Sequence, residues 1–244
     1  MRYFLEFSFN GSRYHGWQKQ PNVNTVQEEL NKCLSILLEF DINLMGAGRT
    51  DSGVHANQMF AHFDCERIID SKNIVHKMNS FIPKDILIHS VFQVKEDSHA
   101  RFSAISRTYK YYISSSKDVF NPNVHLVHKN LDVDKMNKAC QYLIGNKDFT
   151  SFSKVNTDTY TNNCLITSAS WENKGDYTIF TISANRFLRN MVRSLVGTLI
   201  DIGLGTIEIN EINSIIEKKD RCSAGVSVPA KGLFLYKITY PENI

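Results

Sequence analysis

One eleven-residue stretch gathers groups that acid–base or nucleophilic chemistry needs: Gly46-Ala47-Gly48-Arg49-Thr50-Asp51-Ser52-Gly53-Val54-His55-Ala56. It lies between two expected strands. Its glycines let the backbone turn tightly or approach a ligand closely. A carboxylate two residues from a guanidinium, on a loop framed by rigid strands, is a workable active-site arrangement. The same residues also suit an ordinary turn, with Asp51 capping its own backbone and Arg49 in solvent. No G-x-x-x-x-G-K-[ST] or G-x-G-x-x-G pattern occurs, so these glycines do not read as a nucleotide phosphate loop.

Two further clusters are basic. In Asn185-Arg186-Phe187-Leu188-Arg189-Asn190-Met191-Val192-Arg193 the arginines fall within about 60° of one another on a helical projection. Leu188, Met191, Val192, Leu195 and Leu199 cover the other side. A row of guanidinium groups suits phosphates, although a solvated helix face reads similarly. From His99 to Tyr112, basic and aromatic residues interleave, a composition that stacks on bases and holds a backbone. As a strand, this stretch would put Tyr109 and Tyr111 on one face and Lys110 and Tyr112 on the other, one face being core. His125 and His128 have no carboxylate or cysteine at ligand spacing, and no metal site is expected. His15 and Trp17 read as residues that fix a loop.

Elements must hold these groups in place. Alternation over Tyr3–Phe9 predicts a strand, and a Gly/Asn/Gln/Pro-rich loop follows. Thr25-Val26-Gln27-Glu28 has the spacing of a capping box ahead of a helix running to about Phe40. Short strands are expected at Ile42–Ala47 and Gln58–Cys65. A helix ending before Pro83 and a strand at Ile86–Val94 come next. The order β-α-β-β-α-β is the split βαβ pattern. The second half repeats it. A strand covers Tyr109–Ser115, and a helix covers Val133–Ile144 with Gly145 as its C-cap. A hairpin turns at Asn173–Asp176, helices cover Phe187–Leu204 and Asn210–Lys219, and a strand closes the half at Leu233–Tyr240. The expected fold is therefore α+β, two ferredoxin-like (RRM-like) halves side by side with a central cleft. Residues 1–104 form one domain with the GRTD loop, and residues 105–244 form the other with the Arg-rich helix.

The chain has 244 residues, 28 Lys and Arg against 25 Asp and Glu, a net charge of +3, and 42% apolar residues. That excludes a disordered tail, a collagen-like chain and a supercharged arm. The mild positive charge permits a nucleic-acid partner without requiring one. No run reaches the roughly 18 apolar residues of a membrane span. Glu6 stands where a signal peptide would stay apolar, so no export signal is expected. Five scattered cysteines with no C-x-x-C pair read as reduced thiols in a cytoplasmic protein.

Six ordered blocks, from about Tyr3 to Pro241, resemble the tRNA pseudouridine synthase A (TruA) family: FNGSRYHGWQKQPNVNTVQEEL, GAGRTDSGVHA, SHARFSAISRTYKYYI, KDFTSFS, ANRFLRNMVRSLVG and DRCSAGVSVPAKGLFLYKITYP. The resemblance implies isomerisation of uridine to pseudouridine at positions 38, 39 and 40 of the tRNA anticodon stem-loop. Asp51 matches the nucleophile, attacking the sugar's anomeric carbon or carbon 6 of the base, and a carboxylate is ionised for either route. Arg193 matches the arginine that pairs with this carboxylate. Tyr109 matches the tyrosine beside the target base that takes the proton from carbon 5. Arg49 matches the arginine entering the stack as the nucleotide flips out. Leu233 falls in the apolar pocket motif, and Arg186 and Arg189 are candidate phosphate contacts. The resemblance further implies a homodimer with tRNA as partner, no metal, no small-molecule cofactor and no membrane. Ser52 stands where the family often has Ala, Asn162–Ile166 lacks an arginine common before the Trp171 strand, and the usual T-A-P-A reads Ser227-Val228-Pro229-Ala230. A non-catalytic RNA-binding protein of the same fold is the alternative.

Overall fold

Alternating apolar residues make Arg2–Phe9 a strand, and Tyr3, Phe4, Leu5, Phe7 and Phe9 are all buried along it. The computed structural model describes residues 1–155 and 159–244. In chain order the described residues form β1 (Arg2–Phe9), α1 (Val26–Leu38), β2 (Met45–Gly46), β3 (His55–Asp64), α2 (Ser71–Phe81), β4 (Ile86–Val94) and β5 (Ser106–Ser114). There follow β6 (His125–Leu126), α3 (Val133–Gln141), β7 (Gly145–Asp148), β8 (Asn163–Lys174), β9 (Tyr177–Ala184), α4 (Met191–Gly203), α5 (Glu211–Lys218) and β10 (Leu233–Thr239). The protein is thus a mixed α+β chain. It divides into two compact units, one of Met1–Ile105 with Phe234–Ile244, the other of Ser106–Leu233. The C-terminal strand belongs with the first unit, whereas a linear reading keeps it in a 105–244 domain.

In the first unit β1 is central, antiparallel to β3 on one side and β4 on the other. Its start pairs Arg2 with Asp64 and with Val94. Beyond β3 lie β2, antiparallel at Met45–His62, and β10, parallel at Phe234–His55. α2 packs on β4 and α1 on α2, with Val26, Leu30, Cys33 and Leu34 of α1 buried. Asp70 caps α2 by accepting the Lys72 and Asn73 N–H groups. The capping box expected at Thr25 does not form. Thr25 is the N-cap residue but makes no side-chain cap bond, and Glu28 instead reaches Lys19 at 3.7 Å. The expected strand over Ile42–Ala47 shrinks to Met45–Gly46, which form the ladder with β3, and Ala47 adds one N–H bond to the Phe60 carbonyl at 2.8 Å.

In the second unit the order is β5-β9-β8-β7, antiparallel between β5 and β9, β9 and β8, and β8 and β7. α3 packs against β8 and α4. The β8–β9 hairpin turns on Gly175 and Asp176 alone, since Lys174 already pairs with Tyr177. α3 ends at Gln141, three residues before the expected end. Gly145, at φ +103°, is not its cap but starts the edge strand β7. The long helix starts at Met191 rather than at Phe187. Asn190 adopts a left-handed backbone at φ +66° just before it, so the chain from Asn185 to Asn190 approaches the helix instead of belonging to it. Arg186 and Arg189 therefore share no helix face with Arg193.

Candidate active site

The Asp51 loop is a connection between β2 and β3 whose backbone is fastened by the segment after β1. Trp17 donates its N–H to the Thr50 carbonyl at 3.3 Å, and Gly53 donates to the Tyr14 carbonyl at 3.3 Å. The Ser52 hydroxyl donates to that same Tyr14 carbonyl at 3.3 Å. Val54 N–H closes the turn on the Asp51 carbonyl at 3.1 Å. Only glycine can carry the fastening strand past the loop. Gly16 sits at φ +90°, and a Cβ there would stand 2.4 Å from the Thr50 carbonyl oxygen.

Each residue of the fastening segment is anchored in turn. Trp17 is buried and stacked on Phe7 at 5.4 Å, and its ring fills the space beside Gly46. The Tyr14 hydroxyl donates to Asp85 Oδ1 at 2.6 Å, and burial together with this carboxylate pushes the phenol well above its ordinary range. Gly11 N–H donates to His55 Nδ1 at 3.0 Å, and the buried His55 ring stacks on Phe234 at 4.5 Å. Arg49 is exposed, and its Nε donates to Gln18 Oε1 at 2.8 Å. Asp51 is half-buried. The first unit therefore carries Arg49 and Asp51 on one fixed loop and His55 where that loop enters β3. The fixing role expected for Trp17 holds. Tyr14, Gln18 and Asp85 went unnoticed in the sequence, where polar residues of a loop give no sign of their distant partners.

The second unit carries the remaining candidates. Tyr109 lies on β5 opposite Ile182, half-exposed, its ring edge-on to Phe187 at 5.1 Å. Tyr111 is fully buried and its hydroxyl donates to the Pro229 carbonyl at 2.8 Å. Burial pushes that phenol far up, and the Arg193 charge opposes it. Arg193, in the first turn of α4, donates Nε to the Val228 carbonyl at 2.7 Å, while Val228 N–H returns to the Arg193 carbonyl at 3.2 Å. The stretch 224–229 is laid along α4 so closely that a Cβ on Gly197 would stand 1.9 Å from the Val226 carbonyl oxygen. Arg221 pins this stretch with bonds to the Ala224 and Gly225 carbonyls and to Ser227 Oγ, at 2.9–3.2 Å. Arg221 is a positioning residue that spacing alone did not single out. Arg189 is exposed and Arg186 half-buried on the approach to α4. Leu233 is buried at the start of β10.

The model of the tRNA pseudouridine synthase family matches residues 139–241. The whole chain is 49% identical, over 245 residues, to the tRNA pseudouridine synthase A of Parabacteroides distasonis, covering 97% of it. It is 48% identical to that of Bacteroides thetaiotaomicron, covering 92%, and 40% identical to that of Pseudoalteromonas translucida, covering 93%. The chain belongs to the tRNA pseudouridine synthase family. The family model spans Arg193, the stretch 224–229 and Leu233, while the full-length relatives extend the match over the Asp51 loop and Tyr109. All five cysteines are free, four buried and Cys222 exposed. Among the described residues no helix is long and apolar enough to cross a membrane.

Proposed function

We propose that this chain isomerises uridine to pseudouridine in the anticodon stem-loop of tRNA, at positions 38, 39 and 40. The observation that carries the reading is near-half identity along the entire chain with tRNA pseudouridine synthase A proteins, together with a GRTD loop whose backbone is fixed on both sides of Asp51. Asp51 acts as the nucleophile. Asp51 bonds to the anomeric carbon or to carbon 6 of the base, the bond from the anomeric carbon to N1 breaks, the base reorients, the bond from the anomeric carbon to carbon 5 forms, the Asp51 bond breaks, carbon 5 gives up its proton and N1 takes one up. Tyr109 stands beside the target base and accepts that proton, Arg193 is the cation assigned to the reaction, and Leu233 lines the apolar side of the base site. Arg49 follows the flipping nucleotide, paying part of the unstacking cost with a guanidinium stack. Arg186 and Arg189 contact phosphates.

The finer architecture belongs to the same reading. We infer that each unit is ferredoxin-like, which the order β4-β1-β3 with α1 and α2, and the order β5-β9-β8 with α3 and α4, support. The protein works as a cytoplasmic homodimer without metal or organic cofactor. The deciding experiment is tritium release from tRNA carrying uridine labelled at carbon 5, with wild type beside Asp51→Ala and Asp51→Asn. Wild type releases label and both variants release none, while tRNA still binds. Release by either variant would remove Asp51 from its role. Binding without release by wild type would leave the non-catalytic RNA-binding protein.

A further inference from the structure

The turn from His99 to Ser103 is held by a set of hydrogen bonds, and it displays a phenylalanine. The His99 N–H donates to Ser103 Oγ at 2.9 Å and the Ser103 N–H returns to the His99 carbonyl at 2.9 Å. His99 Nδ1 accepts from the Arg101 N–H at 3.0 Å and the Phe102 N–H at 3.4 Å. Ala100 is held from both sides, its N–H on His62 Nδ1 at 3.2 Å and its carbonyl on the Tyr240 hydroxyl. Phe102 is nevertheless 74% exposed. A well-bonded turn that leaves a large apolar ring in water forgoes the stabilisation that burying the ring would bring. The ring is also in defined company. The His99 ring lies 4.4 Å away at 41°, with the buried His62 ring 4.4 Å behind it, and the Arg101 guanidinium stands 5.4 Å over the Phe102 ring.

We propose that Phe102, with Arg101 over its ring, is a stacking platform for an unpaired base of the RNA substrate. The chemistry selects that occupant. A planar ring on a preformed turn offers a π face at little entropic cost, and stacking on an aromatic face is how sequence-tolerant RNA contacts are made. The adjoining guanidinium matches the phosphate that accompanies every base. Among the described residues an imidazole and a guanidinium stand beside the ring, groups that stack and pair with nucleotides. The proposal rests on the tRNA-modifying reading above and adds a contact outside the residues assigned to the reaction.

The chain supplies its own test. It has two tryptophans, Trp17 and Trp171, only 2% and 4% exposed. Phe102→Trp therefore places the one exposed indole on the platform. Fluorescence and binding are measured with unmodified tRNA, and tritium release by wild type is measured in the same preparation. Quenching of the Phe102→Trp emission at saturating tRNA is expected, against unchanged emission of wild type. Phe102→Ala and Phe102→Leu are expected to bind tRNA about tenfold more weakly, with unfolding midpoints near wild type because the side chain is exposed. Wild-type affinity in Phe102→Leu, or an unquenched Phe102→Trp, overturns the platform. If wild type releases tritium while Phe102→Trp stays unquenched, only the platform falls. If wild type releases none while Phe102→Trp is quenched, the platform stands and the synthase reading falls.

Discussion

The loop that carries Asp51 is held in place by bonds to the segment after β1. Three bonds, two between backbones and one from the Ser52 hydroxyl, run to Tyr14 and Trp17, and Gly16 lies between these two residues at φ +90°. Gly16→Ala is therefore expected to act twice. The left-handed backbone penalises any Cβ, and the new carbon at 2.4 Å from the Thr50 oxygen must push the loop away. A loss of about 2–4 kcal/mol in urea unfolding follows. Turnover should fall further than tRNA affinity, because the displaced atoms belong to the loop that carries the nucleophile. An unfolding midpoint equal to wild type would show that the fastening is dispensable.

At the scale of elements, the arginines near α4 divide by the local backbone. Arg193 is inside the helix and committed to the Val228 carbonyl, whereas Arg186 and Arg189 lie on the preceding approach segment. Single replacement of Arg186 or Arg189 by Ala is expected to weaken tRNA binding and to reduce the slope of log affinity against log salt by about one phosphate contact each. Unchanged slopes would make both ordinary surface. The reason the sequence misplaced them is instructive. The periodicity Leu188, Met191, Val192, Leu195 continues through the approach, and Leu188 is buried like the helix residues after it. Periodicity reports burial and does not sense the left-handed Asn190 that breaks the helix. The same holds at Gly145, a glycine that fits a helix C-cap yet opens an edge strand, because strand pairing with β8 is a long-range fact. By contrast, β4 was legible at both ends and α2 at its C-terminal end, where Pro83 stops it, while the Asp70 cap that starts α2 was not. The Asp51 loop was legible in its residue types. Its fastening was not, since Tyr14, Gln18 and Asp85 meet their partners across 31 to 71 residues of chain.

For the whole molecule, acid should loosen the fold before it protonates the carboxylates. His62 is buried between β3 and the His99 turn, and desolvation, reinforced by the neighbouring His99 and Arg2, lowers it to about 4. His99 and His125 are lowered as well, each chiefly by burial. An unfolded histidine titrates near 6.5, so between about pH 6.5 and 4 the unfolded chain holds more protons than the folded one. Stability therefore falls as pH drops through that window and levels off, for this residue, below about 4. His62 alone contributes a loss of about 2 kcal/mol between pH 7 and 5. The structural reason is visible at Nδ1, which accepts the Ala100 N–H and would turn into a donor facing a donor once protonated. His62→Asn keeps an acceptor and cannot ionise, so its urea midpoint should vary less with pH than that of wild type. Trp17 in the first unit and Trp171 in the second give each unit its own fluorescent report. The flattening should appear in the first-unit signal, read with Trp171→Phe as background. Equal pH slopes for wild type and His62→Asn would mean that His62 titrates alike in the folded and unfolded chain, and the acid sensitivity would then have to come from elsewhere in the chain.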